Sequence, residues 1–233
     1  MKEIVVKMLD EEGRQAMQYG ATEGDLRLRE LLVERYQKQG LKLGLDNLII
    51  TTASQQALDL LPKIFVDKGD TIICGLPSYL GALQAFVNYG ASLVGIPLDD
   101  KGMRSDLLDA KLAELQKQGI RPKFIYCIPD FQNPAGITMP EARRKEIIAV
   151  AQKYDVLILE DSPYREIRFA GKAQPTIYQL ADEGRVVLLG TFSKTFAPGF
   201  RIGWVVADTQ IIDKIVMAKQ ATDLCTPPFV QKI

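Results

Sequence analysis

Hydrophobic and polar positions along this chain change period repeatedly, from helical to extended and back. From Gly24 onward, Leu28, Leu31, Leu32 and Tyr36 recur at helical spacing between charged residues until Gly40, a glycine suited to ending a helix. The apolar and β-branched run Leu48-Ile49-Ile50-Thr51-Thr52 follows, and then a second helical pattern through Ala53, Ala57, Leu61, Ile64 and Phe65. Short apolar runs predict strands over 71–74, 92–96, 124–128, 156–160, 186–190 and 202–207. Helical patterns fall between them over 79–89, 105–118, 140–154 and 208–219. Thr138 with Glu141 three residues on, and Pro140 near the first turn, predicts a capping box for the third of these. Near-continuous apolar strands joined through helices imply an α/β fold, a mostly parallel sheet with helices on both faces. Too few residues separate 190 from 202 for a helical crossover, so the last strand is expected to run antiparallel. No repeat, low-complexity stretch or linker breaks the pattern, so residues 1–233 are expected to form one domain with 1–23 as its lead-in.

Composition narrows the chemistry. Lys+Arg and Asp+Glu both total 29, which leaves no field to attract nucleic acid or an anionic membrane. The longest basic cluster, Arg143-Arg144-Lys145, reads as a solvated helix face. Cys74, Cys127 and Cys225 lie far apart without a CxxC spacing and the chain has 0 histidines, which argues against metal catalysis and histidine-based triads. Lys2, Glu3, Lys7 and Asp10 interrupt any apolar signal region, and no run approaches the about 20 apolar residues of a membrane span. A soluble, reducing, cytoplasmic setting is expected.

In sheets of this kind a ligand binds beyond the carboxyl ends of the strands. There the predicted strands run into Pro129-Asp130-Phe131-Gln132-Asn133-Pro134-Ala135-Gly136, into Asp161-Ser162-Pro163-Tyr164, and into Thr191-Phe192-Ser193-Lys194. One carboxylate, one amide, one phenol and one amine thus share a rim. A loop lysine by itself is usually solvated. Lys194, however, leaves an apolar strand among hydroxyls, glycines and the second cation Arg201; burial and that charge would favour the neutral amine that captures an aldehyde as a Schiff base.

With Tyr19-Gly20-Ala21-Thr22-Glu23-Gly24, Asn133-Pro134-Ala135-Gly136, Asp161 with Tyr164, and Ser193-Lys194 leading to Arg201 and Trp204, nearly the whole chain resembles the pyridoxal-phosphate enzymes of the aspartate aminotransferase superfamily, fold type I. The branch it is most similar to holds 2-aminoadipate, kynurenine and broad aromatic aminotransferases, together with the aminotransferase-like domains of GntR-type regulators. The resemblance implies that pyridoxal 5'-phosphate is held by Lys194 as a Schiff base, with Lys194 then moving the substrate proton. It implies that Asp161 keeps the pyridine nitrogen protonated, with Glu160 turned to the other face of its strand. Asn133 and Tyr164 would bond the cofactor 3'-oxygen, and Tyr79 would stack on the ring. The phosphate would lie at Ser54 and Gln55, where a helix begins, with Thr191, Ser193 and Arg201. Tyr19 would reach the phosphate of a neighbouring subunit, making a homodimer with shared active sites.

The implied reaction passes an amino group between an L-amino acid and a 2-oxo acid. Two alternatives share the motifs: a non-enzymatic effector domain of a GntR-type regulator, and a pyridoxal-phosphate-dependent lyase. Ala53 stands where relatives often have glycine, which a helical backbone would tolerate. The family's substrate-carboxylate arginine belongs to a C-terminal small domain, and here no arginine follows Arg201. The chain is therefore expected to be a large domain without its small domain, weak in cofactor binding and turnover by itself.

Overall fold

The computed structural model describes residues 1–181 and 184–233. Its strands are β1 (Leu48–Thr52), β2 (Thr71–Leu76), β3 (Ser92–Asp99), β4 (Gly102–Met103), β5 (Phe124–Cys127), β6 (Leu157–Asp161), β7 (Val186–Thr191) and β8 (Ile202–Val206). They form one sheet in the order β1-β8-β7-β6-β5-β2-β3-β4. The pairs β2–β3, β2–β5, β5–β6 and β6–β7 are parallel, whereas β8 runs antiparallel to both β7 and β1. The expected fold class holds, and the two-residue β4, antiparallel to β3, is an addition.

The helices are α1 (Lys2–Ala16), α2 (Leu26–Lys38), α3 (Ala53–Phe65), α4 (Leu80–Asn88), α5 (Ser105–Lys117), α6 (Glu141–Lys153), α7 (Ile177–Leu180), α8 (Thr209–Thr222) and α9 (Pro228–Gln231). Strand alternation sorts them into two layers. Ile49, Tyr126, Leu159, Leu189 and Val205 point to one face and pack with Ala57, Leu58, Phe86 and Ile215 of α3, α4 and α8. Ile73, Ile125, Ile158 and Val186 point to the other and pack with Leu108, Leu112, Ile147 and Ile177 of α5, α6 and α7. There α2 covers the end formed by β1 and β8 through Leu32, Val33 and Tyr36 against Ile50 and Trp204. Its start is capped by the Asp25 carboxylate on the Leu28 N–H, and its end is turned by Gly40 at φ +89.

Sequence pattern missed α1, α7 and α9. The first lies in the segment expected to be a lead-in; it buries only Met8 and Ala16 and leaves Ile4, Val6 and Leu9 exposed. Two local expectations fail for tertiary reasons. The capping box is absent: the Thr138 hydroxyl accepts the N–H of Phe131, Pro140 is the N-cap residue, and the Glu141 N–H is met by Gln174. The basic triplet is not a solvated face either. Arg144 is fully buried, bonding Asp130 at 2.9 Å and the carbonyls of Met139, Pro129 and Pro175. Arg143 is largely buried against Asp99, and only Lys145 is exposed.

Candidate active site

Because β1 and β7 are each antiparallel to β8, they run in the same direction, together with β2, β5 and β6. Their carboxyl ends share one rim, and β8 adds its amino end to it. The order also reverses between β2 and β5, which opens a crevice there. Beyond this rim lies a cavity of about 210 Å³ lined by Ala53, Ser54, Gln55, Tyr79, Ile128, Asn133, Asp161, Pro163, Tyr164, Thr191, Ser193, Lys194 and Arg201. Ten of the eleven residues singled out from sequence are in that lining; Tyr19 is not, and stands 85% exposed. A larger cleft of about 520 Å³, between α2, α9 and Phe196 and Phe200, shares no residue with it. Size alone does not select the site.

Asp161 closes the floor. It is 3% exposed, its Oδ2 accepts the hydroxyl of Tyr126 at 2.8 Å, and its Oδ1 is buried with no partner among the described residues. Burial pushes its pKa up to about 6, against the lowering effect of the Tyr126 bond. Tyr126 is itself buried, which raises its pKa well above the ordinary value and keeps it a neutral donor. Sequence reasoning missed it; the trace was a lone hydroxyl within an otherwise apolar, fully buried strand. Glu160 points to the opposite face, as alternation requires, where it receives the N–H groups of Ile177 and Tyr178.

Along one wall, Asn133 Nδ2 donates to the Tyr164 hydroxyl at 3.3 Å, and the Lys194 ammonium lies 5.8 Å from the centre of the Tyr164 ring. Burial raises the Tyr164 pKa, while the Asn133 bond lowers it. Tyr79 donates to Gln55 Oε1 at 3.1 Å, and Gln55 Nε2 donates to the Gly81 carbonyl at 2.9 Å. The Gln55 side chain is thereby committed, so its contribution to an anion falls to the backbone N–H. A Cβ on Gly81 would lie 2.5 Å from the Tyr79 ring, so the ring's pose depends on that glycine.

The far wall is an anion cradle. Thr52, the N-cap of α3, makes no side-chain cap bond, and among the described residues no side chain accepts the Ser54 or Gln55 N–H. Ser193 and Arg201 line the same cavity. Thr191 Oγ1 lies 2.9 Å from the Ile202 carbonyl and 3.0 Å from the Ser193 hydroxyl. Thr191 Oγ1 also accepts the Ser193 N–H at 3.1 Å, so it holds Ser193 at the cavity through both its hydroxyl and its backbone.

Two expectations need correction here. Ala53 is not helical but left-handed, at φ +58. That costs a residue with a Cβ roughly 1–2 kcal/mol and explains why glycine suits the position. The conformation is imposed by neighbours: Ala53 N–H donates to the Arg201 carbonyl, and a Cβ at Gly203 would lie 2.5 Å from Ala53 C. Lys194 and Arg201 are both exposed, so the burial invoked to favour a neutral amine is not supplied by this chain.

The donor set fits pyridoxal 5'-phosphate. An orphaned, buried carboxylate oxygen needs an N–H; uncapped helix N–H groups, a hydroxyl and a guanidinium need an anion; a ring is available between them, beside a primary amine. Among the described residues, no group of three or more Cys, Asp or Glu is placed to hold a metal ion, and no helix is long and apolar enough to cross a membrane.

The chain is similar to known proteins along nearly its whole length. The chain is 48% identical over 232 residues to aromatic-amino-acid aminotransferase 1 of Thermococcus litoralis, covering 99% of this chain and 56% of that protein. Pyrococcus horikoshii kynurenine aminotransferase, solved in complex with PMP, superposes with a TM-score of 0.96 at 48% identity, covering 99% of this chain and 57% of that one. The α-aminoadipate aminotransferase of Thermus thermophilus, solved with N-(5'-phosphopyridoxyl)-L-leucine, gives 0.90 at 36% identity, covering 99% and 58%. YdfD of Bacillus subtilis, an HTH-type transcriptional regulator, is more distant at 31% identity, with 100% of this chain and 47% of that protein covered. The chain thus spans little more than half the length of the aminotransferases it matches. The family model for aminotransferase class I and II matches residues 1–233, and the chain belongs to that family.

Proposed function

We propose that this chain is the cofactor-binding large domain of a pyridoxal-phosphate-dependent aminotransferase that moves an amino group between an L-amino acid and a 2-oxo acid. The observation that carries this is the unpartnered Asp161 Oδ1, buried in the cavity that Lys194 also lines. Pyridoxal phosphate, when bound, supplies an electron sink for the bond broken at the substrate α-carbon. Asp161 holds the ring nitrogen protonated through a charge that burial has made costly. Tyr79 sets the ring plane, and Asn133 with Tyr164 donates to the ring oxygen. The α3 N–H groups of Ser54 and Gln55, with Ser193 and Arg201, bind the phosphate, and Thr191 braces that loop. Lys194 Nζ binds the cofactor and carries the proton to and from the substrate α-carbon.

A second copy of the chain completes the site in this reading. Tyr19 is 85% exposed and outside its own cavity's lining, and Leu76 and Leu80, close to Tyr79 in sequence, are exposed apolar residues. Arg201 is the one guanidinium in the cavity lining, so the substrate carboxylate has no second one there. Turnover by this domain alone is accordingly slow, since substrate positioning contributes several kcal/mol. We place the protein in the cytoplasm, consistent with three free cysteines, two of them buried.

The test is an absorbance spectrum with added pyridoxal phosphate, before and after borohydride, on wild type and Lys194→Ala. A visible band fixed by reduction onto the wild-type chain alone is expected. Equal retention by both proteins, or none by either, overturns the proposal. Addition of amino acids then separates an enzyme, which bleaches the band, from an effector domain, which holds the cofactor unchanged.

A further inference from the structure

Beneath the anion cradle lies a polar cluster that none of these roles uses. Lys219 of α8 has 0% exposure, an unusual place for a lysine. Its ammonium has three acceptors: Gln56 Oε1 at 2.9 Å, Asp223 Oδ1 at 2.7 Å and Asp223 Oδ2 at 2.9 Å. These match its three N–H donors. The same groups reach the turn that precedes α3. Gln56 Oε1 also accepts the Thr52 N–H at 2.9 Å, Gln56 Nε2 donates to Asp223 Oδ2 at 2.6 Å, and the Thr52 hydroxyl lies 3.2 Å from that carboxylate and 3.3 Å from Thr226.

The consequence is unusual for a threonine at an N-cap. That side chain ordinarily turns inward to accept N–H groups of its own helix. Here the carboxylate of Asp223 draws it outward, so the first turn of α3 is left without its own cap. The next residue is the left-handed Ala53, a conformation that persists only when its surroundings over-determine it. Thr51 Oγ1 bonds the Ala53 carbonyl, Arg201 accepts the Ala53 N–H, and Gln56 with Asp223 holds Thr52 from behind. Burial lowers the Lys219 pKa, and its contacts with Asp223 oppose that shift.

We propose that Lys219, Gln56 and Asp223 are positioning residues that withhold the Thr52 cap and set the α3 turn, so that the Ser54 and Gln55 N–H groups, which follow the bonded Ala53 N–H, are reserved for a phosphate ester. This rests on the cofactor reading above and assigns an indirect role to residues outside the cavity. A purely structural cluster would support the whole fold; a positioning cluster acts on the phosphate end of the ligand only.

The experiment compares pyridoxal phosphate with pyridoxal, which lacks the phosphate, on the full chain. Lys219→Met should weaken pyridoxal phosphate binding about tenfold, the scale of one hydrogen bond to a charged group, and change pyridoxal binding less than about twofold. Competition by inorganic phosphate should weaken in parallel. Asp223 is partly exposed, so Asp223→Asn decides the question if Lys219→Met does not fold, with the same phosphate-selective loss expected. Equal losses for both ligands, or none for either, overturn the proposal. A wild-type chain that holds pyridoxal phosphate no better than pyridoxal overturns the cofactor reading itself, a different result.

Discussion

Glu160 and Asp161 are adjacent buried carboxylates on opposite faces of β6, and they are treated in opposite ways. On the α6 side, Glu160 receives two N–H groups at the start of α7 and has the Arg144 guanidinium 3.9 Å away. On the α3 side, Asp161 receives one phenol and keeps an oxygen with no partner among the described residues. Burial raises the pKa of both, but only Glu160 has a cation and two N–H groups opposing the shift. A carboxylate that supports the fold is satisfied within the chain; one kept for a ligand is left costly until the ligand arrives.

The largest effect expected from this contrast lies on the supporting face. Arg144→Met leaves Glu160 buried without a cation, while Asp130 keeps Arg165 and Arg168, and should destabilise the chain by about 3 kcal/mol in urea unfolding. A loss under about 1 kcal/mol would show that this side too is poorly satisfied.

On the site face the sign reverses. With a native pKa of about 6 against 3.8 for the free group, Asp161 binds its proton more tightly when folded. Its favourable contribution is therefore complete below about pH 4 and is lost as pH rises through about 6. Asp161→Asn should raise cofactor-free stability at pH 7 by up to about 3 kcal/mol, flatten that pH dependence, and abolish cofactor binding. Destabilisation at pH 7 would break the comparison.

Tyr126→Phe sharpens it at a smaller scale. Loss of the phenol removes the bond that lowers the Asp161 pKa, so the pH above which cofactor binds should move upward, with about 1 kcal/mol less binding at pH 7 in a spectroscopic titration. An unchanged pH limb would remove Tyr126 from the site's electrostatics. Ala53→Gly should have the smallest effect, a gain under about 1 kcal/mol, because relief of left-handed strain is partly offset by a more flexible unfolded chain.

Much of this was legible along the chain. Runs such as Val186-Val187-Leu188-Leu189 are too apolar for anything but a strand covered on both faces, and the polar residues after them had to meet at one rim. The buried charges left a weaker trace. Arg144 precedes Ile147, Ile148 and Ala151 at helical spacing, and Lys219 follows Ile212 and Ile215, so both lie on apolar faces although their charge suggested solvent. What periodicity cannot state is which partners wait there: Asp130 for one, Asp223 for the other, each brought in by chain far from the helix face it meets or by the turn that ends it.

Sequence alone determined the alternation of the longer strands and helices from α2 to α8, their layering and the chemical types gathered at the rim, because each follows from local period and from the direction of β strands. Tertiary structure decided the rest. Whether Ala53 is left-handed depends on the approach of Gly203 in β8, whether Thr138 or Thr52 caps a helix depends on competing partners, and whether Lys194 is enclosed depends on what covers the rim. Those outcomes turn on contacts between distant segments, whose energies no short window of residues contains.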